Sequence, residues 1–317
     1  MDEIDADTLI KIIEQKHEEL ESEFRPDDFN DGTRFVKNLD PKVSELYMGV
    51  REVLSKYRSG QLPKAFKVIP TLSNWEQILQ ITAPNKWTAA SMFAATKLFS
   101  SNLREDMAQR FYNIILLPRI RDDIAEYKKL NHHLYQALLR SLYKPGAFFK
   151  GIILPLCEDS ESGTLREAVI VASVLPKKHI PILHSAAALL KIAELPFSAY
   201  SCVFMHALIT KNYALPIRVV GALVDYFVRL KDEPDLHLPV AWHQMLLAFC
   251  ELYSGDMSDD QRNYLIDLIR VHTHHQVTSV IRSHILKASR RTHNDPIDRN
   301  NAKSPTHSIE SMEIESK

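Results

Sequence analysis

Glycine is scarce in this chain, with 8 in 317 residues. That scarcity argues against Gly-rich phosphate-cradling loops and against a turn-dense all-β fold. Cysteine is scarcer still. Cys157, Cys202 and Cys250 are far apart, odd in number and without a CxxC spacing, so neither a disulfide framework nor a zinc site is expected, and a reducing compartment is. No apolar run reaches the roughly 18 residues of a membrane span. The start MDEIDADTLI is acidic and lacks the basic residues and apolar core of a secretion signal. A soluble, intracellular protein is expected. HExxH and P-loop patterns are also missing.

What is present is helical. Hydrophobic residues make up 45% of the chain, enough for a sizeable core. The segments TLREAVIVASVL, ILHSAAALLKIAEL, AYSCVFMHALIT and IRVVGALVDYFVRL are apolar on most sides and three to four turns long. Leu-Pro pairs punctuate them at Pro155, Pro176, Pro196, Pro216 and Pro239, spaced 21, 20, 20 and 23 residues apart. Proline belongs at helix boundaries or in a first turn, so each pair predicts an end or a beginning. Two segments make a unit of about 40 residues, the size of a HEAT-type helix pair. Helix starts are read at Asn74-Trp-Glu-Gln77, and as capping boxes at Thr164-Leu-Arg-Glu167 and Ser258-Asp-Asp-Gln261. The expected fold is all-α, an α-solenoid of antiparallel helix pairs over residues 71–291. An acidic, partly disordered head (1–70, with short helices at Ala6–Glu23 and Val43–Lys56) would precede it, and a disordered tail (292–317) would follow.

Charge is uneven. Residues 1–31 hold twelve acidic and three basic side chains, so the rest of the chain carries +8 against a total of −1. Eight Lys and Arg against three acids fall between residues 110 and 150. Such asymmetry suggests a polyanionic partner, with the acidic head able to compete for the site; a solvated basic helix is the plain alternative. Read as one helix from Arg119 to Lys150, advancing about 100° per residue, the stretch places Lys129, His133, Arg140 and Lys144 on one ridge. Lys128 and Lys150 flank it. Ile120, Ile124, Tyr127, Leu134, Leu138 and Leu142 gather opposite. Asp122 and Glu126 weaken the ridge at its start and favour the helix N-terminus. Phe148 and Phe149 are expected in the core rather than as base-stacking platforms.

The stretch LLPRIRDDIAEYKKLNHHLYQALLRSLYKPGAFFKGIILPLCE resembles the central signature of the bystin family. The likeness continues through SGTLREAVIVASVL, IPILHSAAALLKIAEL, KNYALPIRVVGALVDYF and LPVAWHQMLLAFCELY, over roughly residues 70–290. The resemblance implies a non-catalytic assembly factor of the small ribosomal subunit, an α-helical scaffold on pre-40S particles needed for processing of the 18S rRNA precursor and for export. It implies pre-rRNA, ribosomal proteins and other assembly factors as partners, with no cofactor, small-molecule substrate or membrane. It also implies residence in the nucleus and nucleolus, with shuttling to the cytoplasm. Family members often have a longer, highly charged N-terminal region. Here the segment before the signature is short and has no basic cluster of the nuclear-import type, so import with a partner is an option. The ridge is the expected RNA contact, and that assignment comes from helix angles rather than from the family.

Two other classes compete. For an enzyme, the richest cluster is VHTHHQVTSVIRSH, with His272, His274, His275 and His284. No carboxylate partner stands at metal-site spacing, and surface or helix-end histidines are expected. His179, His184 and His206 are expected at hydrogen-bonded core or inter-helix positions. The Ser-Gly-Thr at 162–164 is read as a helix cap. The other competitor is a helical-repeat scaffold that binds proteins only. Ser304-Pro305 in the tail is a candidate phosphorylation site.

Overall fold

The computed structural model describes residues 41–159, 163–233, 236 and 238–294. Among these every regular element is helical. The chain divides into two compact units after Val219. The expected helix at Ala6–Glu23, most of the acidic head, the tail from 295 and Ser304 lie outside the described residues.

The first unit begins with α1 (Pro41–Lys56), α2 (Lys64–Val68), α3 (Trp75–Ile81) and α4 (Ala89–Asn102). Apolar residues three and four apart, Val43, Tyr47, Val50 and Leu54, form the buried stripe of α1. That stripe packs on α3, so residues 41–70 join their own chain's core and the expected division at residue 70 does not separate α1 from it. Ser91 and Thr88 at the start of α4 donate to Leu54 O and Tyr57 O, both at 2.7 Å. Those bonds satisfy carbonyls that the end of α1 leaves open. Aromatic rings fill the space between: Phe66 meets Trp87 edge-on at 5.4 Å, and Phe99 stacks on Phe111 at 4.7 Å.

Two helical runs follow. One comprises α5 (Glu105–Phe111), a π turn (Tyr112–Leu116) and α6 (Leu117–Tyr127). After α7 (His132–Ser141) comes the other: α8 (Pro145–Phe148), a π turn (Phe149–Ile153) and α9 (Leu154–Glu158). Each π turn ends two residues before a proline, Pro118 or Pro155, with one Leu between. A proline ring crowds the carbonyl four residues back and cannot bond to it; a wider turn placed just before it gives the ring room. The two π turns pack on each other, and Gly151 permits it. A Cβ there would sit 2.7 Å from Gln109 O. Pro155 is therefore inside a helical run, contrary to the boundary expected there, while Pro176, Pro196, Pro216 and Pro239 lie outside helices as expected.

α10 (Leu165–Ala172), α11 (Ile182–Glu194) and α12 (Ala199–Ile209) continue the first unit. Thr164 caps α10 by accepting from Glu167 N, but Glu167 does not return the bond. Its carboxylate turns instead to Arg121 at 3.2 Å. Asn74 precedes α3 without a side-chain cap bond. α13 (Ile217–Val228) leads on, and α14 (Val240–Tyr253), α15 (Asp259–Val271) and α16 (Thr278–Asn294) follow. In the second unit Phe227 packs between Trp242 and Phe249, at 5.9 and 5.5 Å. The Ser258 box is complete, with Ser258 and Gln261 exchanging side-chain to backbone bonds.

Candidate nucleic-acid interface

The segment read as one helix from Arg119 to Lys150 is broken. α6 stops because Lys128 takes the left-handed conformation (φ 56°, ψ 14°) and donates its N–H back to Ile124 O. This is a position glycine usually fills, and the backbone energy of a lysine there must be offset locally. Three bonds hold it: Lys128 Nζ donates to Ala125 O, the Asp123 carboxylate accepts from Asn131 N at 2.8 Å, and Asn131 caps α7 through His133 N at 2.9 Å. Asp123 is buried, so its charge serves this turn. The side-chain angles counted along one helix therefore do not carry across residues 128–131, and the continuous ridge does not form.

The six candidate cations fall into different settings. Lys128, Lys129 and His133 are exposed on the turn and the first turn of α7, with His132 meeting His133 edge-on at 5.8 Å. Lys150 is exposed on the second π turn. Arg140 and Lys144 turn towards the end of α4. Arg140 donates to Ser101 Oγ at 2.8 Å and lies over the Tyr143 ring at 4.5 Å. Lys144 donates to Leu103 O. Cations at a helix C-terminus offset its dipole, which gives this pair a capping role for α4. Burial holds the Lys144 ammonium below its ordinary pKa, with Glu105 and Asp106 working against that. Tyr127, expected on the apolar side, is exposed, and Phe148 and Phe149 are core.

Sequence reasoning missed Arg166, which donates to Lys128 O at 3.3 Å and adds a cation beside the turn. The signal was in the spacing. Lys128 to Arg166, Tyr135 to Ser173 and Arg140 to Ser101 are bonds between residues 38 or 39 apart, close to the repeat unit read from the Leu-Pro pairs.

The histidine cluster differs from expectation. His272 caps the C-terminus of α15, but it is buried, with Nε2 2.8 Å from Leu230 O. His243 is buried too, and its ring lies 5.1 Å from that of His274, which stacks on His275 at 4.6 Å. Burial, then His274 and His272, push His243 down to about 4. Among the described residues no group of three or more His, Cys, Asp or Glu is placed to hold a metal. His206 is half-buried, while His179 is exposed beside Tyr213. No helix among the described residues is long and apolar enough to cross a membrane.

The bystin sequence profile matches residues 3–295, nearly the whole chain. The chain belongs to the bystin family. Bystin of Bos taurus is 54% identical over 284 residues, which cover 89% of this chain and 64% of the bovine one. Bystin of Homo sapiens is 53% identical over 284 residues, 89% of this chain and 63% of that protein. Bystin of the choanoflagellate Monosiga brevicollis is 52% identical over 293 residues, 92% and 69% of the two chains. The chain thus spans about two thirds of the length of these relatives. Bystin is not a known family of enzymes.

Proposed function

We propose that this bystin-family chain is a non-catalytic scaffold of small-subunit assembly. In this reading it binds pre-rRNA and neighbouring ribosomal proteins and assembly factors on pre-40S particles in the nucleus and nucleolus, and it supports 18S precursor processing and export. Family membership across nearly the whole chain carries the reading. The exposed, internally stitched turn at Lys128, Lys129 and His133 supports an RNA contact there, with Lys150 as a flank. Arg140 and Lys144 hold α4 and contribute to the local field. Affinity would come from phosphate charge, and specificity from RNA shape and protein neighbours.

The fold proposed with this function is a HEAT-like α-solenoid. Helices near in sequence pack within each unit, α10 and α11 on α12 in the first, α14 and α15 on α16 in the second. That is the neighbour-only pattern of repeat stacks. A protein-only scaffold is the second reading, supported by Leu183 and Ile217, which are 78% and 80% exposed.

The test is affinity purification of the tagged protein from cells, with sequencing of the recovered RNA. A Lys128→Glu, Lys129→Glu, Lys150→Glu variant serves better than reversal of Arg140 and Lys144, which would also disturb α4. Recovery of small-subunit precursors by wild type and their loss from the folded variant is the expected result. Recovery of proteins without pre-rRNA in both would favour the second reading.

A further inference from the structure

The cations at the α6–α7 turn continue onto the neighbouring elements of the first unit. Arg166 lies against Lys128. Tyr135, in the first turn of α7, hydrogen-bonds Ser173 Oγ at 3.0 Å, and Lys177 Nζ sits 4.6 Å over its ring. Lys211, at the end of α12, donates to Leu175 O and Lys178 O, both at 2.8 Å. These bonds fix the 173–179 turn between its neighbours, leaving Arg166, Lys177 and Lys178 exposed.

Little opposes this charge. Between residues 163 and 215 the carboxylates are Glu167 and Glu194, and ion pairs with Arg121 and Lys191 take both. Asp159 is also held by Arg121, at 2.7 Å. Asp122 and Glu126 stay exposed on α6 and reduce the field beside the turn. Among the described residues no ion pair with a carboxylate involves Lys128, Lys129, Arg166, Lys177 or Lys178. The bond from Arg166 to Lys128 O and that between Tyr135 and Ser173 Oγ bring the α6–α7 turn, the start of α10 and the 173–179 turn into one neighbourhood.

We propose that Lys128, Lys129, Arg166, Lys177 and Lys178 form one strip that binds the sugar–phosphate backbone of single-stranded RNA. The proposal deepens the function above and rests on its RNA partner. A polynucleotide supplies one charge per nucleotide at regular spacing and can neutralise the whole strip. Among the cations Asn131, Ser173 and Asn212 are polar and exposed, and Tyr127, Leu165 and Val169 are the exposed apolar side chains beside them. Tyr135 and Tyr213 each hold an ammonium of the chain against the ring, Lys177 at 4.6 Å and Lys211 at 5.4 Å. Charge rather than base stacking therefore carries the contact, and binding is nearly indifferent to base identity.

The experiment is fluorescence anisotropy of the full chain with a 20-nucleotide oligouridylate from 50 to 300 mM KCl. Wild type is compared with Arg166→Glu, Lys177→Glu, Lys178→Glu, and with the milder triple Gln variant should the first fail to fold. The expected result is at least a tenfold loss at 100 mM KCl. The salt slope should fall by about 2 on a log–log plot, at about 0.7 per lost contact. An oligoadenylate of equal length should bind wild type within about threefold. Unchanged affinity and slope in a folded variant would overturn the strip, as would displacement of the RNA by polyglutamate at equal charge, which would mark an acidic polypeptide as the ligand. Loss of oligouridylate binding with pre-rRNA recovery from cells intact would support the strip as a site of RNA affinity and assign recruitment to protein contacts. Wild type that binds oligouridylate but recovers no pre-rRNA sinks the assembly role and leaves the strip standing.

Discussion

Residues 41–219 carry a formal charge of +10, and residues 220–294 carry −1. Both stretches are helical with buried aromatic clusters, Phe66, Phe99 and Phe111 in one, Phe227, Trp242 and Phe249 in the other. The cores are alike in kind and the surfaces are not. Packing needs only apolar stripes in register, so it leaves surface charge free to follow function. The same contrast appears within the first unit. Lys128 and Lys129 face solvent, whereas Arg140 and Lys144 are engaged at the end of α4.

The largest expected effect tests whether the units are energetically separate. Phe249→Ala removes a ring packed on Phe227 and Tyr253 and should cost about 3–5 kcal/mol. Hydrogen exchange should quicken across 220–294 while protection in 41–219 and oligouridylate affinity stay as in wild type. A global loss of protection would dissolve the comparison.

Burial of a neutral histidine gives a smaller effect, confined to the second unit. The folded pKa of His243 is about 4, below its unfolded value of about 6.5. The unfolded chain therefore binds the proton first. The stabilising preference for neutral imidazole is fully present above pH 6.5 and is lost as pH falls towards 4, on the order of 2–3 kcal/mol. Denaturant titrations at pH 7 and pH 5 should show a smaller decline in His243→Gln than in wild type; equal declines would refute the assignment.

Matched charge reversals sharpen the surface contrast. Arg282→Glu with Lys287→Glu, exposed in the second unit, should change oligouridylate affinity less than twofold, and a tenfold loss would show that net charge alone governs binding. The smallest effect is at the Ser258 cap, where Ser258→Ala should cost about 1 kcal/mol in thermal denaturation.

Much of the helical fold was legible because it rests on local rules. The Ser258 box, the Thr164 cap and four of the five Leu-Pro boundaries follow from hydrogen-bonding chemistry near each residue. The break at Lys128 was hidden because it depends on bonds from Asp123 and Asn131 that stabilise an unusual lysine conformation, and neither glycine nor proline marks it. The inward turn of Arg140 and Lys144 was hidden because their partners, Ser101 and Leu103, lie about forty residues earlier. Of the candidate site, the exposed cations at 128, 129 and 133 were readable from charge. Their neighbours Arg166, Lys177 and Lys178 became visible only once helices distant in sequence lay side by side.

A π turn is geometrically an α-helix carrying one extra residue. The turn at Tyr112–Leu116 therefore sets the rotational phase of everything downstream in α6. Deleting a single residue there would turn the helix by about 100°, swing Ile120 and Ile124 away from the core, and aim the lysine-bearing turn elsewhere. The direction in which the chain offers its charge is indexed some fifteen residues upstream, at a site that itself carries no charge.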